Sequence, residues 1–362
     1  MRVTGVSVQS VTVPHPRPMT LGEGMVVHAI PHVLVRLKTA SGAEGMGFTY
    51  RLAMRDTRAV VHAAGKVGHA LVGAEGETPA GFQERLEAAE RTVGGTEAGR
   101  MAVSVLDIAL WDAYGREKGQ SIASLLGAQR GSIPAYASGE LWRSAGPKAL
   151  GEAIARHRAA GFRIFKMRVG GQSSPEAEAE RVSAAREAAG SGTLLADANF
   201  AWSGEQAAGM ARLFAPHRLG WLEDPVGHGD TDGLRGVRSA GGPPVCAGER
   251  CFSVEEALGL VRSGVVDVLM LDALRIGGVT GWMRAARAAT REGVGVTAHL
   301  APEISIHLLA ATQNARYVEW LPATAPLFKR PLHMREGDLL VPEEPGLGME
   351  WDEAAVRGAV RR

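Results

Sequence analysis

The sequence predicts an α+β unit followed by a closed barrel of parallel strands, and three observations carry that prediction. From about residue 132, short apolar runs alternate with Ala-rich amphipathic stretches, the rhythm of repeated strand–helix units. Eight such runs occur, at 133–138, 163–169, 193–197, 220–223, 245–249, 266–272, 294–299 and 317–320. After Trp320 no helical pattern of useful length appears until about Asp352, so the barrel lacks its last helix and the tail is expected back on the first unit. The residues before 130 read differently. Residues 2–13 alternate as a strand that Pro14, Pro16 and Pro18 break, and a second run at 33–37 reaches the turn Ser41-Gly42 and returns through 45–50. Helical spacing then covers about 55–72, 79–92 and 97–118, the last with Thr96 as its N-cap and Met101, Val105 and Ile108 on one face. The expected division is a capping domain over 1–128, completed by the tail 323–362, and a barrel over 131–322.

Composition bounds the function. Apolar residues are 45% and charged residues 22% of the 362, enough to bury a large core. Forty basic residues against thirty-nine acidic ones leave a charge of +1, which argues against a broad nucleic-acid surface. No apolar run is long enough for a membrane span, and residues 1–14 alternate rather than forming the core of a signal peptide. Cys246 and Cys251 offer neither a disulfide framework nor zinc spacing and read as buried thiols, so a reducing cytoplasm is expected.

The chemistry lies where the strands end. Ser138, Lys166, Asp197, Glu223, Glu249, Asp272, His299 and Glu319 close the eight runs, separated by 20 to 31 residues, about one strand–helix unit each. In a parallel barrel every strand end opens on the same face, so these groups are expected around one cavity. Any one of the carboxylates could merely cap the following helix, but that reading does not account for the whole series. Asp197, Glu223 and Glu249 come from adjacent strands, and three carboxylates sharing a mouth repel unless a cation sits among them. All-oxygen donors suit Mg²⁺. Lys166 and Arg168, two apart, share a face. Asp272 and His299, one unit apart, are expected to pair, the carboxylate fixing the tautomer of a base.

The segments FKMRV (165–169), LLADANFAW (194–202), WLEDP (221–225), CAGER (246–250), MLDALRIGGVTGW (270–282), TAHLAPEIS (297–305) and VEWL (318–321) resemble the enolase superfamily, in particular its mandelate racemase subgroup. The helical segment 103–127 resembles that of the family's capping domain. The resemblance implies a modified TIM barrel, (β/α)7β, under an N-terminal α+β cap. It implies Mg²⁺ on Asp197, Glu223 and Glu249, proton abstraction α to a carboxylate, an enediolate intermediate, and a symmetric homo-oligomer. It makes Asp272 and His299 the catalytic dyad, Asn199 a substrate contact, and Glu319 a hydrogen-bond donor to the intermediate. One position departs: where the racemase pattern has Lys-x-Lys, this chain has Lys166-x-Arg168. A guanidinium is a poor base at neutral pH, and a racemase needs a base on both faces of the carbanion. The expected activity is therefore dehydration of an acid sugar to a 2-keto-3-deoxy acid, with racemisation or epimerisation of a 2-hydroxy acid as the alternative. Specificity is expected from loops over 15–25 and from Tyr50 and Arg51, with Met19, Leu21, Met25 and Trp142 as apolar walls. Ser138, Asn199, Tyr50 and Arg51 are expected to bind the substrate, and Lys166 to bind or polarise its carboxylate.

Overall fold

The computed structural model describes residues 1–20, 25–52 and 56–360. Strands β1 (Val3–Thr20), β2 (Val26–Thr39) and β3 (Glu44–Tyr50) form an antiparallel sheet in that order. β1 does not stop at Pro14 but continues to Thr20, so much of the expected loop over 15–25 is strand, while residues 21–24, Leu21 among them, lie outside the described residues. The reason is its place at the sheet edge. Pairing with β2 lapses between Pro14 and Met19, and an edge strand loses little where proline lacks an N–H.

Helices α1 (Arg58–His69), α2 (Gln83–Thr92), α3 (Glu97–Lys118) and α4 (Ile122–Leu125) follow. Thr96 caps α3 by accepting the Gly99 N–H at 3.2 Å. β3 lies so close against α3 that side chains are excluded at the contact: a Cβ on Gly45 would sit 2.1 Å from the Ala109 carbonyl, and one on Gly47 would sit 2.2 Å from that of Val105.

The barrel strands are β4 (Ser132–Ala137), β5 (Ile164–Arg168), β6 (Thr193–Asp197), β7 (Leu222–Glu223), β8 (Val245–Ala247), β9 (Val268–Leu271), β10 (Gly295–Ala298) and β11 (Ala315–Trp320). Each is parallel to the next, and β11 closes on β4 through Val318–Ala135, Glu319–Tyr136 and Trp320–Ala137. Between them run α5 (Pro147–Ala159), α6 (Pro175–Ala189), α7 (Gly204–Phe214), α8 (Thr231–Ser239), α9 (Val254–Arg262), α10 (Gly278–Arg291) and α11 (Pro302–Ala310). Only a single 3₁₀ turn, Ala325–Leu327, and no α-helix, follows β11 on the way to the tail hairpin, β12 (Met334–Arg335) and β13 (Asp338–Leu340), which pairs antiparallel with β4. The tail then reaches the N-terminal sheet. Trp351 stacks on Phe328 at 4.6 Å and both meet Phe48 edge-on, before the final helix α12 (Glu353–Ala359).

Strand alternation stacks the barrel interior in layers. Tyr136, Ile164, Leu195, Trp221 and Met270, with Tyr317 against them, make an apolar floor. Two residues further along the same strands stand Ser138, Lys166, Asp197, Glu223, Asp272 and Glu319. β8 breaks the count. Its floor residue is Cys246, and Glu249 comes three residues later because Gly248, at φ +127°, inserts a kink. A Cβ on Gly248 would lie 2.6 Å from the Met270 carbonyl, so only glycine permits the turn that brings Glu249 inward.

Candidate active site

The strand ends converge. Lys166, only 1% exposed, donates from Nζ to Glu223 Oε1 at 2.9 Å and lies 3.0 Å from Glu319 Oε1 and 3.4 Å from Asp197 Oδ2. Its ammonium also sits over the Tyr136 ring at 5.2 Å. Arg168 places Nε 3.2 Å from Asp197 Oδ2, donates from Nη2 to Ser138 Oγ at 3.3 Å, and lies over the half-buried Trp142 ring at 5.7 Å. Across the mouth, His299 Nδ1 donates to Asp272 Oδ2 at 2.8 Å. That bond leaves Nε2 facing the cluster, 3.2 Å from Glu249 Oε2.

Burial and charge set the protonation of these groups. Burial alone would raise the Asp197 carboxyl, but Arg168 and Lys166 outweigh it and hold the group below its ordinary pKa. Burial, with Asp197 next, pushes Glu223 well above the ordinary carboxylate range. Lys166 is held well above its usual value, because the carboxylates of Glu223 and Glu319 overcome its desolvation. Glu319 is lowered in turn, Lys166, His299 and Arg168 outweighing its burial.

Among the described residues six acids meet here, Asp197, Glu223, Asp224, Glu249, Asp272 and Glu319, against three permanent cations ion-paired with them, Lys166, Arg168 and Arg275. Oxygens of Glu223, Asp224 and Glu249 lie within 4.8 Å of one another, and Asp224 Oδ2 is buried without accepting a hydrogen bond. An excess of hard oxygen donors with an unpartnered atom among them is the chemistry a small divalent cation satisfies.

Backbone strain gathers at the same place. Of the eight described non-glycine residues with positive φ, six follow a barrel strand end within three residues: Glu140, Asn199, Phe200, Asp224, Leu300 and Ala301. Such strain persists only where surrounding contacts over-determine it, and it tends to cluster at functional sites.

Several expected contacts take a different form. Ser138 is in the cluster but is engaged, donating to Glu319 Oε1 at 2.5 Å. Glu319, the expected donor to the intermediate, here accepts from Ser138 and, at 2.8 Å, from the Leu300 N–H and pairs with Lys166 at 3.0 Å, and Lys166, His299 and Arg168 favour its ionised form against its burial. Asn199 is exposed, and its backbone N–H donates to Asp197 Oδ1 at 2.8 Å. Tyr50 is fully buried, its phenol accepting the Ala301 N–H at 3.2 Å. Arg51 pairs with Glu97 at 2.6 Å at the start of α3 rather than with the cluster. Met19 is buried and Met25 half-buried.

Two participants escaped the sequence reading. Asp224 was visible as the second acid of a Glu-Asp doublet, but its inclusion depends on a left-handed turn, φ +41°, straight after the two-residue β7. Arg275 lies 3.0 Å from Asp272 Oδ2 and donates to the Glu249 carbonyl at 2.6 Å, joining the dyad to the end of β8. Its only signal was a cation one helical turn beyond Asp272.

Known proteins resemble this chain in sequence and fold. Residues 149–355 match the family described as enolase C-terminal domain-like, and residues 3–127 match the mandelate racemase / muconate lactonizing enzyme N-terminal domain. An L-talarate/galactarate dehydratase of Salmonella typhimurium is 29% identical over 327 residues, covering 90% of this chain and 81% of that protein. A racemase of Streptomyces coelicolor, solved with bound magnesium, superposes with a TM-score of 0.93 at 27% identity over 99% of this chain and 100% of the other. An L-talarate dehydratase of Polaromonas, solved with Mg and L-glucarate, gives a TM-score of 0.91 at 29% identity over 100% of this chain and 98% of the other.

Proposed function

The chain belongs to the enolase superfamily, in its mandelate racemase and muconate lactonizing enzyme family, and from that premise we propose that it dehydrates an acid sugar to a 2-keto-3-deoxy acid. The observation that carries this reading is the asymmetry of the mouth. On one side His299 has an orienting carboxylate at 2.8 Å and a second nitrogen turned to the cluster. On the other side, Arg168 and Lys166 are both held protonated by carboxylates. A single base suits removal of one proton followed by loss of a leaving group, whereas inversion needs a base on each face.

Glu223 and Glu249 would hold Mg²⁺, with Asp224 inside the same 4.8 Å cluster and Asp197, paired with Lys166 and Arg168, as the further donor; when bound, the ion would supply positive charge to the substrate carboxylate. The chain's own residues do the rest. Lys166 and Arg168 add positive charge beside the same carboxylate as it becomes an enediolate. His299 Nε2 takes the α-proton, Asp272 stabilising the imidazolium through Nδ1. That proton then leaves with the β-hydroxyl as water, and the resulting enol takes a proton at C3 and gives up the one on its C2 oxygen to become the ketone. Glu319 holds Lys166 and the turn at Leu300 in place.

The test is a panel of aldonic and aldaric acids and 2-hydroxy acids incubated with Mg²⁺ in D₂O. Keto-acid formation, with α-proton removal from one configuration, is the expected result. Inversion of the α-carbon, with deuterium entering both enantiomers and no keto acid, would replace this reading with the racemase one.

A further inference from the structure

The turn that follows His299 is strained and held from two sides. Leu300 and Ala301 both have left-handed backbones, φ +52° and +42°, and both are buried. Neither is glycine, and such strained residues persist only where neighbours enforce the conformation. One enforcing contact comes from β11, where Glu319 accepts the Leu300 N–H at 2.8 Å. The other comes from the N-terminal sheet, where the Tyr50 phenolic oxygen accepts the Ala301 N–H at 3.2 Å.

Tyr50 is itself fixed. Its ring lies 4.5 Å from that of His32, whose Nδ1 meets the Ile30 carbonyl at 2.8 Å and whose Nε2 meets Thr324 Oγ1 at 3.2 Å. The ring is fully buried, and the phenol is kept protonated by burial and by the nearby Glu303 carboxylate. Tyr50 thus joins the cap to the backbone two residues beyond the proposed base.

We propose that Tyr50 is a positioning residue: by holding the Ala301 N–H it fixes the strained turn and, through it, the His299 imidazole, so that the cap serves proton transfer as well as substrate enclosure. The role in turnover rests on His299 being the base; the clamp itself does not. Displacing a base by a fraction of its working distance costs rate without changing how the substrate is held.

The experiment compares the full-length protein with its Tyr50→Phe variant, which keeps the ring and its contact with His32. Two measurements are made: hydrogen–deuterium exchange of the segment 299–305, and steady-state kinetics with the acid found active in the panel. Exchange in 299–305 should accelerate in Tyr50→Phe. Its kcat and its rate of α-proton exchange should fall together by about 10- to 100-fold, while KM stays within about twofold. Unchanged exchange of 299–305 would overturn the proposal, since the clamp would then be absent. A raised KM at constant kcat would also overturn it, making Tyr50 a substrate ligand, as would faster segment exchange with unaltered kinetics. If the wild type turned over no carboxylate at all, the functional reading would fail, and segment exchange would still decide the clamp.

Discussion

Lys166 and Arg168 stand on one face of β5, and the carboxylates of Asp197, Glu223 and Glu319 beside them favour the protonated form of both. Among the described residues at the mouth, His299 is the imidazole with a carboxylate behind Nδ1, and its Nε2 faces the acid cluster, 3.2 Å from Glu249. In His299→Asn, turnover and α-proton exchange should therefore fall together, by about 10²–10⁴-fold, the usual worth of a general base. Deuterium uptake by one enantiomer of the substrate in this variant would reveal a second base on the Lys166 side and return the racemase reading. At this scale the sequence disclosed most of the residues that reach the mouth, because alternation along a strand dictates which side chains face inward; Asp224 and Arg275, placed by turns after the strands, were not disclosed. The sequence did not disclose partners either. Ser138 meets Glu319 and Arg51 meets Glu97 through residues 181 and 46 positions away, and no local pattern encodes such distant pairings.

Between elements, α10 has no N-cap of its own: Gly277 precedes it with a left-handed backbone and no side chain. Asp107 of α3 takes that place, accepting the Thr280 N–H at 2.9 Å and the Thr280 hydroxyl at 2.6 Å. This bond ties the N-terminal unit to the helix that follows Asp272. Burial pushes the Asp107 pKa up to about 7, above the ordinary value of 3.8. The native state then binds the extra proton, so the Asp107 contribution to stability falls as pH rises from about 4 to about 7. The buried His32 and His307, both lowered to about 4 from 6.5, act in the opposite sense across nearly the same range. The wild-type profile mixes these terms, and a difference isolates one. Asp107→Asn should melt below the wild type near pH 5, having lost an acceptor, and the gap should narrow towards pH 8. A gap independent of pH would refute the assignment. The strands and long helices were legible because their periodicity is local. This cap was not, since Gly277 signals only that a side chain from elsewhere is needed. The run of β1 past three prolines was hidden for a related reason: a residue's tolerance of proline depends on whether a neighbour needs its N–H, which only the assembled sheet decides.

Over the whole molecule charge is nearly balanced, at +1, yet among the described residues the barrel mouth holds six acids against three fixed cations ion-paired with them. The imbalance is therefore local, and it is buried, where Coulomb repulsion is poorly screened. The raised pKa values of Glu223 and Asp224 register that repulsion together with burial. A cation that binds only the folded protein relieves it and stabilises the fold by mass action, by about 2.7 kcal/mol at one hundred times its Kd. Adding Mg²⁺ to chelator-treated protein should therefore raise the thermal midpoint by several degrees, and excess chelator should reverse the rise. Glu223→Gln removes a donor and some of the repulsion at once. The metal-free variant should then melt no lower than the metal-free wild type, while its response to Mg²⁺ shrinks or disappears. That combination separates a cation site from simple charge screening, because screening would act alike with Na⁺ at equal ionic strength. A shift of equal size in Glu223→Gln, or with Na⁺ alone, would show that the acids at the mouth are balanced in some other way.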